Sequence, residues 1–219
     1  MNESRIQAIL THLKDAGIIA ILRGQNRNRM IERGIALSEM GCKAIEVTLD
    51  SPDALEIVTT LRRELPDSVM VGVGSLTNLN LIDDCIHAGA EYALSPIHPQ
   101  GMTQQCHAVN LLAIPGVSNI QELEDAISEG AQIAKLFPST KWNPEHIPKQ
   151  TIPWIPVGGV DSQNIWEWLD TGAWCVGMGS NLCGSDLNED CEDSTSWVDS
   201  EEQVARGMFK ELQRRRNDA

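Results

Sequence analysis

Two ionisable residues sit where an apolar strand would bury them. Lys135 stands in the run Ile133-Ala134-Lys135-Leu136-Phe137-Pro138, which is too apolar for an exposed sheet edge. A lysine in such a place loses hydration, so its pKa falls and part of it becomes the neutral amine, a nucleophile for carbonyl carbon. The same run is compatible with a lysine held in a structural ion pair, or with one whose ammonium reaches past the strand end into water. Glu46 stands in Ala44-Ile45-Glu46-Val47-Thr48-Leu49, again among apolar neighbours. A carboxylate and an amine facing each other make a nucleophile and proton-transfer pair, or a plain buried salt bridge, and the pattern alone does not separate the two.

These residues need elements to carry them. Short β-type runs recur at Ile18 to Leu22, Ala44 to Leu49, Val69 to Val73, Glu91 to Leu94, Leu111 to Ile114, Ile133 to Phe137, Trp154 to Val157 and Trp174 to Met178. Between them, apolar residues fall at three- and four-residue spacing over Met30 to Met40, Asp53 to Leu65, Leu79 to Ala88, Ile120 to Ser128 and Ser162 to Leu169, a helical pattern. Four of the helical stretches close on a glycine, at Gly41, Gly89, Gly130 and Gly172, where a left-handed residue can turn the chain into the next strand. Alternation of this kind predicts an α/β fold with a parallel sheet, and eight strands in so short a chain predict a (β/α)₈ TIM barrel, a single domain over residues 1–219. In such a barrel the side chains of alternate strands share an interior layer, so Glu46 of the second strand and Lys135 of the sixth are expected to face each other.

Glycine marks the ends of the last two strands, in Pro156-Val157-Gly158-Gly159-Val160 and Gly177-Met178-Gly179-Ser180. Barrels often hold phosphate with the loops after strands seven and eight, where glycine lets backbone N–H groups approach an anion. Arg23 closes the first strand and offers a cationic fork for a carboxylate or phosphate, or else a surface ion pair. No metal is expected: His12, His87 and His107 fall on helices, His146 on a short polar segment, and only His98 lies near a strand end.

Composition excludes several classes. A formal charge of −14 argues against nucleic acid and anionic membrane surfaces, which are bound through clustered Lys and Arg. No apolar run approaches the roughly 18 to 20 residues of a membrane span, and the N-terminus lacks the apolar core of a secretory signal, which predicts a cytoplasmic protein. Cys42, Cys85, Cys106, Cys175, Cys183 and Cys191 form no C-x-x-C pair and read as reduced packing residues. The stretch from Cys183 to Glu202 carries Asp186, Glu189, Asp190, Glu192, Asp193, Asp199, Glu201 and Glu202 with few apolar anchors, so it reads as an acidic, solvated loop at about 183–202.

The pieces IIAILRG, IEVTLDSPDA, VGVGS, LSP, IPGVS, AKLFPS, PVGGV and VGMGS, in this order from about residue 18 to residue 182, resemble the class I aldolases that cleave 2-keto-3-deoxy-6-phosphogluconate, its galactonate epimer or 4-hydroxy-2-oxoglutarate. The resemblance implies a homotrimer of (β/α)₈ barrels without a cofactor, acting on a 2-keto acid and releasing pyruvate. It implies Lys135 as the Schiff-base lysine and Glu46 as the acid/base. It further implies substrate contacts from Arg23, Ser75, Pro96, Phe137, Gly158, Gly159, Gly179 and Ser180. The chain departs from the family pattern at three places: Ser75 stands where threonine is usual, Asp50 where several phosphogluconate enzymes have arginine, and Val157 where threonine is common. LDSPDA and PVGGV are more similar to the phosphogalactonate branch. The expected reaction is cleavage of a 2-keto-3-deoxy-6-phospho sugar acid to pyruvate and glyceraldehyde 3-phosphate; the alternatives are an aldolase for unphosphorylated 4-hydroxy-2-oxoglutarate and a metabolite-binding barrel without catalysis.

Overall fold

A computed structural model of the chain describes residues 3–147, 152–188, 197 and 199–218. Helix α1 (Glu3–Ala16) leads into nine parallel strands: β1 (Ile18–Leu22), β2 (Ala44–Thr48), β3 (Met70–Gly74), β4 (Tyr92–Leu94), β5 (Leu112–Ile114), β6 (Gly116–Val117), β7 (Ala134–Leu136), β8 (Trp154–Pro156) and β9 (Val176–Met178). The connections carry α2 (Arg27–Glu39), α3 (Ala54–Glu64), α4 (Ile82–His87), α5 (Met102–Ala108), α6 (Ile120–Ser128) and α7 (Ile165–Asp170), and after β9 come α8 (Ser180–Cys183) and α9 (Asp199–Asn217). Every stretch read as a strand from the sequence overlaps one.

The strands form a six-stranded sheet in the order β5-β4-β3-β2-β1-β9 and a three-stranded sheet β6-β7-β8. Two junctions link them. Pro115 alone separates β5 from β6, and a parallel bridge pairs Val157, just past β8, with Gly177 of β9. The result is a curled parallel sheet with helices outside, in which the ladder is interrupted at both junctions rather than running as one continuous ring. Chemistry explains the first break, since proline has no N–H to donate. The fifth expected strand, Leu111 to Ile114, is therefore only the first half of a broken one.

Period-two alternation sorts the side chains between two cores. Ile18, Ala20 and Leu22 of β1 pack outward with the helices, as do Ile45 and Val47 of β2 and Ala134 and Leu136 of β7. Ile19 and Ile21 point into the concave side, where Ala44, Leu94, Leu112, Ile114 and Ile155 join them. Glu46 and Lys135 have the inward parity. Helix α1 belongs to this inner cluster through Ile6, Ile9, Leu10 and Leu13, and so covers the concave side at the N-terminal ends of the strands. Each of these four aliphatic side chains contributes about 1.5–3 kcal/mol by leaving water. With that end covered, access to the interior lies at the C-terminal ends.

The glycines expected to close helices do take positive φ: +102° at Gly41, +94° at Gly89, +90° at Gly130 and +113° at Gly172. The acidic stretch is a different matter. Cys183 is buried in α8, Asp186 and Leu187 are buried in a short turn, Trp197 is buried, and a helix already begins at Asp199. The expectation of a solvated loop fails at Asp186 because its carboxylate meets Arg33, a residue 153 positions earlier that composition could not reveal. Glu189, Asp190, Cys191, Glu192 and Asp193 lie outside the described residues. The other five cysteines are buried and free.

Candidate active site

Residues from strand ends or the loops just after them surround a pocket of about 290 Å³. Arg23 follows β1, Ser75 follows β3, Pro96 and Phe137 follow β4 and β7, Val157 and Gly158 follow β8, and Gly179 and Ser180 follow β9. Glu46 and Lys135 form its floor from within β2 and β7. Among the residues expected at a site, Gly159 is the one that does not line this pocket, although it adjoins Gly158. Its backbone is held beside the site, with φ +96° and its carbonyl accepting from Nδ2 of Asn164 at 2.8 Å.

Burial governs the two ionisable groups. Lys135 is 5% exposed and Glu46 1% exposed. Loss of hydration lowers the Lys135 pKa below the ordinary 10.5; the Glu46 carboxylate opposes that shift, and the positive charge of Arg23 adds to it. Burial likewise raises the Glu46 pKa, against the pull of Lys135. Both groups are thus driven towards their neutral forms, amine and carboxylic acid. Among the described residues no salt bridge closes between them, and Oε2 of Glu46 is buried without a hydrogen-bond partner. A buried oxygen without a partner is costly in a resting protein and is an acceptor or donor ready for a ligand. The ammonium end of Lys135 lies 5.0 Å from the centre of the Phe137 ring.

The carboxyl of Glu46 lies over β3, next to Gly74. A Cβ at Gly74 would overlap Oε1 of Glu46, so glycine there is a condition for the carboxyl's position. At Gly72 a Cβ would strike Tyr92, whose hydroxyl donates to the carbonyl of Ile45 at 2.7 Å. Sequence reasoning did not single out Gly74, which is 28 residues from Glu46 and becomes its neighbour only through the β2–β3 ladder. Gly74→Ala is expected to keep the fold by circular dichroism and to lower any turnover at this site by about 100-fold, the usual effect of misplacing a catalytic group by an ångström.

Arg23 is exposed and donates from Nη2 to Oγ of Ser75 at 2.9 Å, and its guanidinium lies 3.5 Å from the Asp50 carboxylate. Ser75 has φ +58°, a left-handed conformation that turns its hydroxyl towards Arg23. Asp50, where several phosphogluconate enzymes are expected to have arginine, therefore sets a carboxylate beside Arg23 and partly offsets its charge rather than adding a second cation. On the far side, the carbonyl of Gly158 accepts from Oγ of Ser139 at 2.6 Å, and that of Val160 from Nδ2 of Asn181 at 3.1 Å. Side chains thus occupy the oxygens of the glycine turn. Among the described residues no group of three or more His, Cys, Asp or Glu is placed to hold a metal, and no helix is long and apolar enough to cross a membrane.

Comparison with known proteins identifies the family. Residues 9–196 match the model of the aldolase family described as KDPG and KHG aldolase. The chain is 25% identical over 189 residues to the 2-dehydro-3-deoxy-6-phosphogalactonate aldolase of Escherichia coli, covering 83% of this chain and 92% of the relative. It is 30% identical over 161 residues to the 2-dehydro-3-deoxy-phosphogluconate aldolase of Pseudoalteromonas atlantica, covering 70% and 74%. Its fold is similar to the crystal structure of the KDPG aldolase of Legionella pneumophila, in which pyruvate was captured at low pH as a covalent carbinolamine, with a TM-score of 0.73 at 22% identity over 93% of this chain and 95% of that one. With the family model spanning most of its length and the strand-end residues gathered round one pocket, the chain belongs to the KDPG and KHG aldolase family.

Proposed function

We propose that the protein is a class I aldolase that cleaves a 2-keto-3-deoxy-6-phospho sugar acid into pyruvate and glyceraldehyde 3-phosphate. The observation that carries this reading is the pairing of a desolvated lysine with a carboxyl whose buried oxygen has no partner, both facing the same pocket. Lys135 supplies the nucleophile and Glu46 the proton transfers.

In this mechanism the neutral amine of Lys135 attacks C2 of the keto acid to give a carbinolamine. Glu46 in its acid form gives a proton to the departing hydroxyl, and loss of water leaves an iminium. The carboxylate so formed takes the proton of the C4 hydroxyl. The C3–C4 bond then breaks, its electron pair moves into the enamine, and the C4 carbon leaves as an aldehyde. Protonation at C3 and hydrolysis of the iminium release pyruvate and restore the amine. No cofactor is needed, because the iminium accepts the electron pair.

Charge assigns the remaining contacts. Arg23, with Ser75, takes the carboxylate of the keto acid, while Pro96 and Phe137 wall the pocket beside the lysine. At the other end, Gly158, Gly179 and Ser180 take the phosphate through backbone N–H groups and the Ser180 hydroxyl, with Gly159 shaping the turn beside them, the edge left available once side chains hold the turn's carbonyls. The curled sheet is read as a closed (β/α)₈ barrel, with residues 1–219 as one domain, a homotrimeric assembly and a cytoplasmic location. Family resemblance supports the trimer, and size-exclusion chromatography with light scattering tests it.

The substrate assignment has a direct test. With about two charge-assisted hydrogen bonds lost, the unphosphorylated analogue is expected to be cleaved with kcat/KM about 100-fold below the phosphorylated acid. Equal rates, or a preference for 4-hydroxy-2-oxoglutarate, would replace the phosphate assignment with a carboxylate or an empty turn.

A further inference from the structure

The short turn that follows α8 is fixed more firmly than a surface connection requires. Nη2 of Arg33, a buried residue of α2, donates to both carboxylate oxygens of Asp186 at 3.0 and 2.9 Å. The same guanidinium lies 4.3 Å from the centre of the Trp197 ring. Nη1 of Arg29 donates to the carbonyl of Asp186 at 2.9 Å, and the amides of Gln25 and Asn26 donate to the carbonyl of Leu187 at 2.9 and 3.3 Å. Two glycines make the room: a Cβ at Gly24 would overlap the carbonyl oxygen of Leu187, and one at Gly184, where φ is +82°, would lie 2.6 Å from Nη1 of Arg33.

These contacts fix the place of Leu187, which is 1% exposed and lines the pocket together with Cys183 and Gly184 of the same segment. It has no ionisable or hydrogen-bonding group, so its influence on a ligand is through shape. Because the turn is held at its carboxylate and at two successive carbonyls, the wall cannot move back for a larger ligand without breaking buried hydrogen bonds.

We propose that Leu187 is a specificity-determining residue that limits the size of the aldehyde half of the substrate, with Arg33 and Asp186 as positioning residues that hold it in place. The proposal rests on the aldolase reading above. Leu187 lines the same pocket as Ser180, read above as a phosphate contact of the aldehyde half, and belongs to the segment that runs on from Ser180 through Cys183 and Gly184. A leucine there favours glyceraldehyde 3-phosphate over a longer phosphorylated aldehyde of the same charge.

The test uses the full chain in the condensation direction, with pyruvate and either glyceraldehyde 3-phosphate or erythrose 4-phosphate, reading the ratio of the two kcat/KM values. Leu187→Ala is expected to lower the preference for the shorter aldehyde by about tenfold, and Leu187→Met to keep it within about twofold. Asp186→Asn is expected to move the ratio in the same direction as Leu187→Ala, a change of selectivity that loss of stability alone does not produce. If Leu187→Ala does not melt cooperatively, Leu187→Val reads the same ratio with an expected shift of about threefold. A ratio unchanged in folded, active variants overturns the role of Leu187. A wild-type protein that joins pyruvate to neither aldehyde overturns the aldolase reading instead.

Discussion

Lys135→Met is expected to abolish cleavage, lowering kcat by at least about 10⁴-fold, and at the same time to leave the protein as stable as before or more so. The two effects have one cause. Burial withholds water from the amine, which makes it nucleophilic and makes its charged form costly to fold around. Methionine fills similar space without that cost. The sign with pH follows from the direction of the shift. The folded-state pKa lies below the ordinary 10.5, so the unfolded chain binds this proton more readily. The destabilising contribution is fully present at pH values below the folded pKa and disappears as pH rises to the ordinary lysine value. The gain in melting temperature on Lys135→Met is therefore greatest at pH values below the folded pKa and shrinks towards pH 10.5. Thermal melts at several pH values check it, and a variant that is destabilised throughout contradicts a desolvated lysine.

Glu46→Gln is the second large effect, an expected loss of about 10²- to 10⁴-fold in kcat, the range for removing a general acid or base. A structural role could also reduce activity, but it would not move the titration of another group in a fixed direction. Wherever Glu46 is ionised its carboxylate raises the pKa of Lys135, so removing that charge should lower the Lys135 pKa further. The amine must be neutral to attack, and the rate of pyruvate adduct formation rises with pH as the proton leaves. The midpoint of that rise should lie at lower pH in Glu46→Gln than in the wild type. An unchanged midpoint would mean that the two groups do not sense each other across the pocket.

The sequence carried the core of this site because the signal was local. A lysine or glutamate inside an apolar strand is conspicuous, and a period of two sends residues flanked by outward-packing neighbours inward, so Lys135 and Glu46 were legible from their own strands. The strand-end glycines were legible for the same reason. What stayed hidden depends on distant partners. Gly74 reads as an ordinary strand glycine until the β2–β3 ladder brings it under the Glu46 carboxyl. Asp186 reads as one acid among many until Arg33 is seen to bury it. Pro115, which sits inside IPGVS, gives no hint in composition that it divides one strand into two and breaks the ladder between the sheets. Local pattern therefore picked out residues that the structure gathers round one pocket, whereas the shape of that pocket depends on contacts between residues far apart in the chain.

The pairing of Arg23 with Asp50 bears on substrate choice. A guanidinium shared between a serine hydroxyl and a carboxylate retains donors for an incoming anion, but its field is partly cancelled. The carboxylate of a keto acid held by Arg23 then contributes orientation more than attraction, and in a protein of net charge −14 long-range steering of an anionic substrate is not available either. On the proposed reading, affinity comes from close contacts: the covalent bond to Lys135, the glycine turns and the wall at Leu187.

The most direct measurement is to incubate the protein with pyruvate, reduce with borohydride, and map the product by peptide mass spectrometry, with Lys135→Met as the control. A stable pyruvate-derived adduct is expected on Lys135 in the wild type and none in the variant. A folded wild-type protein that forms no adduct, or forms it equally on another lysine in the variant, contradicts the assignment of Lys135 as the Schiff-base residue.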